Sequence, residues 1–312
     1  VHTIAEGPDG SLWIGTSYGL GKYNRKEDSF SWYTRADGLS SAAIVNIQFD
    51  ENGDMYIGTF NGGLNYYDGS TFKHITMKEG LSSNNVSAGH YSTFYKKLFI
   101  GNEFGISVLN NGMVDPISIP EIDKASVISI HSYQDSLLLV GSGGAGVAIY
   151  NPSTRAKKML TTHHGWPSDF IYFVAADPQN MLWIGTEKGI TRLKLNDRLD
   201  ILENLHYDYD NGLTGVETNQ NAFYLGNDLK LFGLIDGLYQ FNELERHGRK
   251  SFDLHLTSVE LFYGEYPVRQ YADSVFGFFK IPVKPVLPPE VNHITFDYNR
   301  VDKRYPKSVK FR

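Results

Sequence analysis

The chain of 312 residues has no cysteine. That excludes disulfides, thiolate-bound zinc, iron–sulfur clusters and a thiol nucleophile. It leaves the compartment open, because a cysteine-free chain suits a reducing and an oxidising space equally. Charge of one sign is also scarce: 29 Lys and Arg face 35 Asp and Glu, for a net charge of −6. Without a strongly basic stretch, wrapping of nucleic acid is not expected. No apolar run approaches the ~20 residues that span a bilayer. The start, Val1-His2-Thr3, offers neither a basic nor an apolar leader segment, so no signal peptide is read and the chain is expected to be part of something longer. Helical periodicity is nearly absent. What the chain has in excess is 31 Gly together with 20 Tyr, 19 Phe and 4 Trp, the makings of turns and strands.

The glycines are periodic. A turn pair leads into a short apolar strand that ends in Gly, and a Gly-Leu pair, an aromatic and a further turn residue follow. In the clearest copy these are Asp9-Gly10, Leu12–Gly15, Gly19-Leu20 and Tyr23-Asn24. Taking the strand-ending glycine as anchor gives Gly15, Gly58, Gly101, Gly141, Gly185 and Gly233, spaced by 43, 43, 40, 44 and 48 residues. Ile14, Ile57, Ile100, Val140, Ile184 and Phe232 precede the anchors. One position earlier stand Trp13, Tyr56, Phe99, Leu139, Trp183 and Leu231. A repeat of ~40–45 residues with four short strands is a propeller blade. In the second repeat the strands are read as Ile44–Phe49, Asp54–Thr59, Gly63–Tyr67 and Phe72–Thr76, with Asn52-Gly53 and Asp68-Gly69 as tight turns. The anchor glycine should admit a close neighbour, expected to be a ring from the next blade. The aromatic column is read as blade-to-blade core. The sixth repeat shows no obvious fourth strand.

The expected fold class is therefore all-β: a β-propeller of six visible four-stranded repeats over residues 1–243, seven-bladed once an upstream segment completes the ring. Residues 244–312 read as a polar linker and a partial β-sandwich, with strand-like runs at Leu254–Phe262, Asn292–Tyr298 and Ser308–Phe311 and a proline-rich bend at Pro282–Pro289.

The repeat residues Asp9–Thr16, Phe30–Ser40, Phe72–Ser82 and Met181–Thr186 resemble the regulator-propeller repeat of bacterial two-component sensors. The resemblance is to the hybrid sensors of gut Bacteroidetes that control polysaccharide utilisation. It runs from residue 1 to about 243. The segment after it resembles the start of the immunoglobulin-like Y_Y_Y domain of those sensors. The resemblance implies a periplasmic ligand-sensing module of a hybrid histidine kinase, which recognises a glycan or oligosaccharide and relays the signal by rearranging a homodimer. Membrane contact and kinase chemistry would belong to other segments. No nucleic acid and no cofactor are implied for this chain, and the chain is not expected to be an enzyme. A propeller lyase or glycosidase and a protein-binding scaffold remain as alternatives.

Function is sought where the repeats differ. In a propeller, the loop between the second and third strands emerges on the same face as the connection between blades. That face should gather Tyr18, Phe60, Asn61, Asn84, Asn85, Phe104, His164, Trp166, Glu187 and Asn219, a mix of rings and polar groups that suits a sugar. His163-His164 fails as a metal site, since neighbours on a strand point to opposite faces and no carboxylate follows at a ligand offset. Gly143–Gly146 lacks the Lys-Ser/Thr ending of a phosphate loop. Glu103, Glu187, Glu217 and Asp236 fall on loops without a visible pairing.

Overall fold

A computed structural model describes residues 1–209, 213–242, 255–264 and 267–299. The chain divides into two compact units, Val1–Asn242 and Glu243–Arg312. The first unit is a succession of antiparallel meanders, each a blade. Blade one holds β1 (Thr3–Glu6), β2 (Leu12–Gly15), β3 (Leu20–Asn24) and β4 (Ser29–Tyr33). Blade two holds β5 (Ile44–Phe49), β6 (Met55–Thr59), β7 (Gly63–Tyr67) and β8 (Phe72–Ile75). Blade three runs through β9 (Val86–Ser92), β10 (Lys97–Asn102), β11 (Gly105–Asn110) and β12 (Met113–Ile117). Blade four runs through β13 (Val127–Tyr133), β14 (Leu137–Ser142), β15 (Val147–Tyr150) and β16 (Lys157–Leu160). Blade five comprises β17 (Ile171–Ala176), β18 (Leu182–Thr186), β19 (Gly189–Leu195) and β20 (Ile201–Tyr207). Blade six comprises β21 (Thr218–Leu225), β22 (Lys230–Leu234) and β23 (Gly237–Phe241). The all-β propeller expected from the repeats is present. Its sixth sheet, however, has three strands among the described residues, where the repeat count implied four.

Each anchor glycine ends a second strand and is a hole. A Cβ built on Gly15 would lie 2.6 Å from Cγ2 of Ile44, and one on Gly58 2.8 Å from Cγ1 of Val86. At Gly101 it would meet Val127 Cγ1 at 2.6 Å, at Gly141 Ile171 Cγ2 at 2.8 Å, and at Gly185 Thr218 Oγ1 at 2.7 Å. In every case the branched residue that opens the first strand of the next blade is among the intruders, joined by Thr3 at Gly15 and by the Phe173 ring at Gly185. All five of these branched residues are fully buried. The expectation of a ring from the next blade is thus corrected. A β-branched side chain is short and stiff at χ1, so it can reach a Cβ-sized hole across the seam. The ring that does approach an anchor, Phe173 at Gly185, belongs to the same blade.

Directly after the branched residue, β5, β9, β13 and β17 each slip register by one residue, at Val45, Ser87, Ile128 and Tyr172. The aromatic column packs beside these seams as read. Trp13 joins Leu20, Ile44, Ile47 and Ile57 in one buried cluster, and Trp183 joins Phe173, Ile190, Phe232 and Leu234 in another. The Trp183 indole also donates to Asp177 Oδ2 at 2.9 Å, so its one polar atom is satisfied within the core.

The interlock stops at blade six. In β21 the register jumps from Thr218↔Leu234 to Phe223↔Phe232, so Asn219–Ala222 bulge out opposite Gly233. The hole at Gly233 is filled from within its own blade, by the Ala222 Cβ at 2.8 Å. On blade one, Thr3 pairs with Gly15 as Asn46 pairs with Gly58. Val1 therefore occupies the column of Ile44, and it is 75% exposed. Gly233 thus takes no branched residue from another blade among the described residues.

The links from blade one to two, two to three and four to five each hold a tight 3-10 turn. Thr34 caps Arg35–Asp37: its Oγ1 accepts from Ala36 N at 3.2 Å, and Asp37 Oδ2 accepts from Thr34 N at 2.8 Å. Gly38 then takes φ 106°, which suits glycine, and Leu39 enters the core. Thr76, Glu79, Gly80 and Leu81 repeat the arrangement.

In the second unit, β24 (His255–Leu261) pairs antiparallel with β27 (Ile294–Asn299), and β25 (Ser274–Phe276) forms a hairpin with β26 (Ile281–Val283). The strand runs at Leu254–Phe262 and Asn292–Tyr298 are found with shifted ends, whereas Ser308–Phe311 lies outside the described residues. The proline-rich bend is corrected at its start: Pro282 sits inside β26 opposite Val275, on a two-stranded ribbon where a lost donor is tolerated. Among the described residues no helix is long and apolar enough to cross a membrane.

The interlock predicts an asymmetry between two glycines. Gly101→Ala places its Cβ against Val127 and should destabilise the propeller by about 1–3 kcal/mol. Gly237→Ala meets nothing within 4 Å and should change stability by less than about 0.5 kcal/mol. Denaturant melts of the two variants check this; equal effects would contradict it.

Candidate functional site

The loops that follow the second strands and the connections that enter each blade are tied together by side chains. Ser41 Oγ donates to Phe60 O at 2.9 Å, Ser83 Oγ to Glu103 Oε2 at 2.8 Å, and Ser168 Oγ to Glu187 Oε2 at 2.9 Å. The same three hydroxyls accept from the backbone two residues on, at Ala43, Asn85 and Phe170. One serine per entry loop thus fixes its own turn and the neighbouring loop. This places Phe60-Asn61, Glu103-Phe104 and Glu187-Lys188 beside the blade entries, on one face.

Most of the polar candidates are spent on this scaffold. Asn61 donates its N–H to Asn85 Oδ1 at 2.8 Å, and Asn85 Nδ2 donates to Glu103 Oε1 at 2.9 Å. The bonds from Asn85 and Ser83 hold the Glu103 carboxyl below its usual pKa range. Asn84 Oδ1 accepts from Met77 N at 3.0 Å. Glu187 is tied to Ser168 as above, and Asn219 Nδ2 donates to Leu234 O at 3.0 Å. His164 stands where Asp37 and Glu79 stand in the other connections. Its Nδ1 accepts from Thr161 N at 3.1 Å, so an imidazole closes the cap. Trp166 takes the column of Leu39 and Leu81. It is 3% exposed within the core between blades four and five and offers no surface to a ligand. Threading the Thr-x-x-acid-Gly-Leu pattern through Thr161–Trp166 would have found both roles.

Left free on this face is an apolar rim. Tyr18, Phe60, Phe104 and Ile235 stand at matching positions just past the anchors and are 86%, 54%, 59% and 65% exposed. They give this face four exposed apolar side chains. The carboxylates do not pair. Glu217 accepts from Tyr172 OH at 2.9 Å and Asp236 from Tyr239 OH at 2.7 Å.

Two features were not anticipated from the sequence. The first is the Asn219–Ala222 bulge, which reaches across to other blades: Gln220 Nε2 donates to Ser87 O at 3.3 Å, and Asn221 Nδ2 to Ile128 O at 2.9 Å. The second is a histidine pair on neighbouring first strands. His90 and His131 lie 5.5 Å apart between ring centroids. His90 Nε2 meets Ser132 Oγ at 2.7 Å, and His131 packs edge-on to Phe223 at 5.2 Å. Burial pushes His90 down to about 3, helped by its neighbour, and burial alone pushes His131 to about 4. Both are neutral at pH 7. Among the described residues no group of three or more His, Asp or Glu is arranged to hold a metal ion.

Comparison with known proteins bears on the repeat and the fold. A family profile described as Two component regulator propeller matches residues 1–18, so the resemblance read from the repeat residues is found independently at the first blade. No curated protein sequence matches the chain. Among solved structures, the extracellular domain of a protein described as the hybrid two component system BT4673 of B. thetaiotaomicron superposes with a TM-score of 0.63 at 16% identity, over 84% of this chain and 35% of that one. Virginiamycin B lyase from Staphylococcus aureus gives 0.60 at 15% identity, over 76% of this chain and 78% of that one. A chain of the Mitotic Checkpoint Complex gives 0.57 at 11% identity, over 76% of this chain and 74% of that one. A receptor domain, a lyase and a cell-cycle assembly share this propeller fold, so the fold does not choose among functions. The chain spans about a third of the receptor domain it superposes on.

The histidine pair predicts how stability depends on pH. The folded state keeps both rings neutral, while the unfolded chain binds their protons below the ordinary value of 6.5. Stability from this source is complete above pH 6.5 and is lost as pH falls from there toward 4. The lowered carboxylates, such as Glu103, start their loss only below their ordinary 4.5. Melts of the native protein between pH 8 and 4.5 should therefore fall, and those of His131→Phe should fall less steeply. Parallel curves would contradict the assignment.

Proposed function

We propose that the chain is the ligand-sensing propeller in the extracytoplasmic, periplasmic region of a hybrid two-component sensor, and that its ligand is a glycan or oligosaccharide. The match of residues 1–18 to the two component regulator propeller profile carries this reading, because the same columns recur through the five blades that follow. The apolar rim supports the ligand class. Tyr18, Phe60 and Phe104 can cover the C–H faces of sugar rings. On this reading the propeller itself performs no chemistry. Glu103, Glu187, Glu217 and Asp236 each hold a neighbouring hydroxyl or amide instead of facing one another.

Signalling would be mechanical. The ligand binds one arrangement of a receptor homodimer better than the other, and that difference in affinity sets the size of the switch. Membrane span, kinase and output would lie in the rest of the receptor.

The test is a panel of oligosaccharides titrated calorimetrically, with product analysis on the same samples. One glycan class should bind without turnover, and Phe60→Ser/Phe104→Ser should weaken its longer members about tenfold, as expected for two lost ring contacts of about 0.7 kcal/mol each. Glycan cleavage would establish the lyase or glycosidase reading instead. Binding of a protein partner with no glycan bound would establish the scaffold reading.

A further inference from the structure

We propose that the β25–β26 hairpin of the second unit is a peripheral membrane contact, which sets its aromatic tip into the interface of a bilayer that carries anionic phospholipid. The inference concerns this unit by itself and does not rest on the sensing role of the propeller. The sequence placed membrane contact in other segments; the hairpin adds a peripheral one.

The tip is built to stay exposed. Phe276 ends β25, Ile281 opens β26, and Gly277-Phe278-Phe279-Lys280 turn the chain between them. Lys280 N donates to Gly277 O at 3.2 Å and closes the turn, with φ 71° at Gly277 and 53° at Lys280. The stem is tied at its foot, where Asp273 N donates to Val283 O at 3.2 Å and Val286 N to Tyr271 O at 2.7 Å. A Cβ built on Gly277 would meet nothing within 4 Å. A strand paired to either edge of the ribbon would lie beside β25 or β26 and leave the turn free.

The tip is apolar. Phe276, Phe278 and Phe279 are 76%, 91% and 47% exposed, and the last two meet edge to face at 5.3 Å between centroids. At about 150–250 Å² per ring they hold on the order of 400 Å² of apolar surface in water. That area is gathered on four consecutive residues, unlike exposed apolar residues that stand singly.

The charge around the tip chooses the partner. From Ser274 to Pro289 the chain holds Lys280 and Lys284 and no Asp or Glu. Both lysines are exposed, and neither makes an ion pair among the described residues. The balance of the whole segment agrees. Residues 243–312 hold 12 Lys and Arg against 9 Asp and Glu, a net +3, whereas residues 1–242 hold 17 against 26, a net −9. The rings lead at the turn and Lys284 follows about 10 Å back along β26, at ~3.3 Å per residue. Apolar groups ahead of cations match the layers met on entering a bilayer. The rings reach the acyl boundary, and the lysine stems lie along it with their ammonium groups at the phosphates. Attraction to anionic headgroups adds to this and is screened by salt.

The experiment is flotation of the whole chain with vesicles of phosphatidylcholine, alone or with about a third phosphatidylglycerol. Binding to the anionic vesicles should be about tenfold tighter or more, and high salt should reduce it. Phe278→Ser/Phe279→Ser should weaken it about tenfold or more. Lys280→Gln/Lys284→Gln should remove the preference for anionic vesicles. Phe94→Ser, at a ring of the propeller that is 57% exposed, should change binding less than about twofold. Melting curves establish that each variant is folded, and the two hairpin variants report independently. Unchanged flotation of both hairpin variants overturns the proposal, as does failure of the native chain to float with either vesicle. Self-association in ultracentrifugation that Phe278→Ser/Phe279→Ser abolishes, with no vesicle binding, overturns it in favour of a contact between copies.

Discussion

A missing Cβ and a branched side chain hold each blade to the next. Gly15, Gly58, Gly101, Gly141 and Gly185 leave holes of one carbon, and Ile44, Val86, Val127, Ile171 and Thr218 fill them. A branched residue of the next blade meets the anchor glycine at all five seams, joined at Gly185 by the Phe173 ring, and the sequence repeats at these columns. A sheet buried on both faces needs its neighbour at a fixed distance. A Cβ-sized hole sets that distance more strictly than a layer of flexible rings could. The aromatic column beside it supplies buried area, and the glycine supplies register.

The loops follow from where this constraint is kept, and the bulge from where it lapses. Along the interlocked blades it aligns the entry serines, so that Ser83 and Ser168 reach Glu103 and Glu187. Those ties hold the loops that display Tyr18, Phe60 and Phe104. At blade six the hole is blocked from inside, and a polar bulge takes the place of the packed seam. The amides of that bulge hold the carbonyls of blades three and four, so the lapse is ordered. The pair His90 and His131 belongs to the same interior. It stays neutral because no carboxylate compensates its burial.

Much of this was legible in the sequence, and the rest was hidden for identifiable reasons. The blade count, the turn pairs and the aromatic core could be read because each recurs in register. The partner of the anchor glycine could not: it lies 26–33 residues downstream at a spacing that varies with loop length, so Ile44 and Val127 share a column only in space. The rings at Phe60 and Phe104 were placed on the exposed face because they break the repeat. Trp166 was placed there for the same reason, although it repeats the buried Leu39 and Leu81 in another residue type. Likewise His164 is a cap because it substitutes for an acid at a position fixed by Thr161 and Gly165. The Asn219–Ala222 bulge depends on a register jump that one strand's sequence does not encode.

The central claim is that the blades are locked in series and that the lock ends at blade six. Hydrogen exchange followed along the whole chain by mass spectrometry tests it directly. The account predicts the slowest exchange in β5, β9, β13 and β17, whose blades are seated on both sides, and markedly faster exchange in β1 and in β21 to β23. Uniform protection from β1 to β23 would contradict it, since it would mean that the first and sixth blades are held as firmly as the rest.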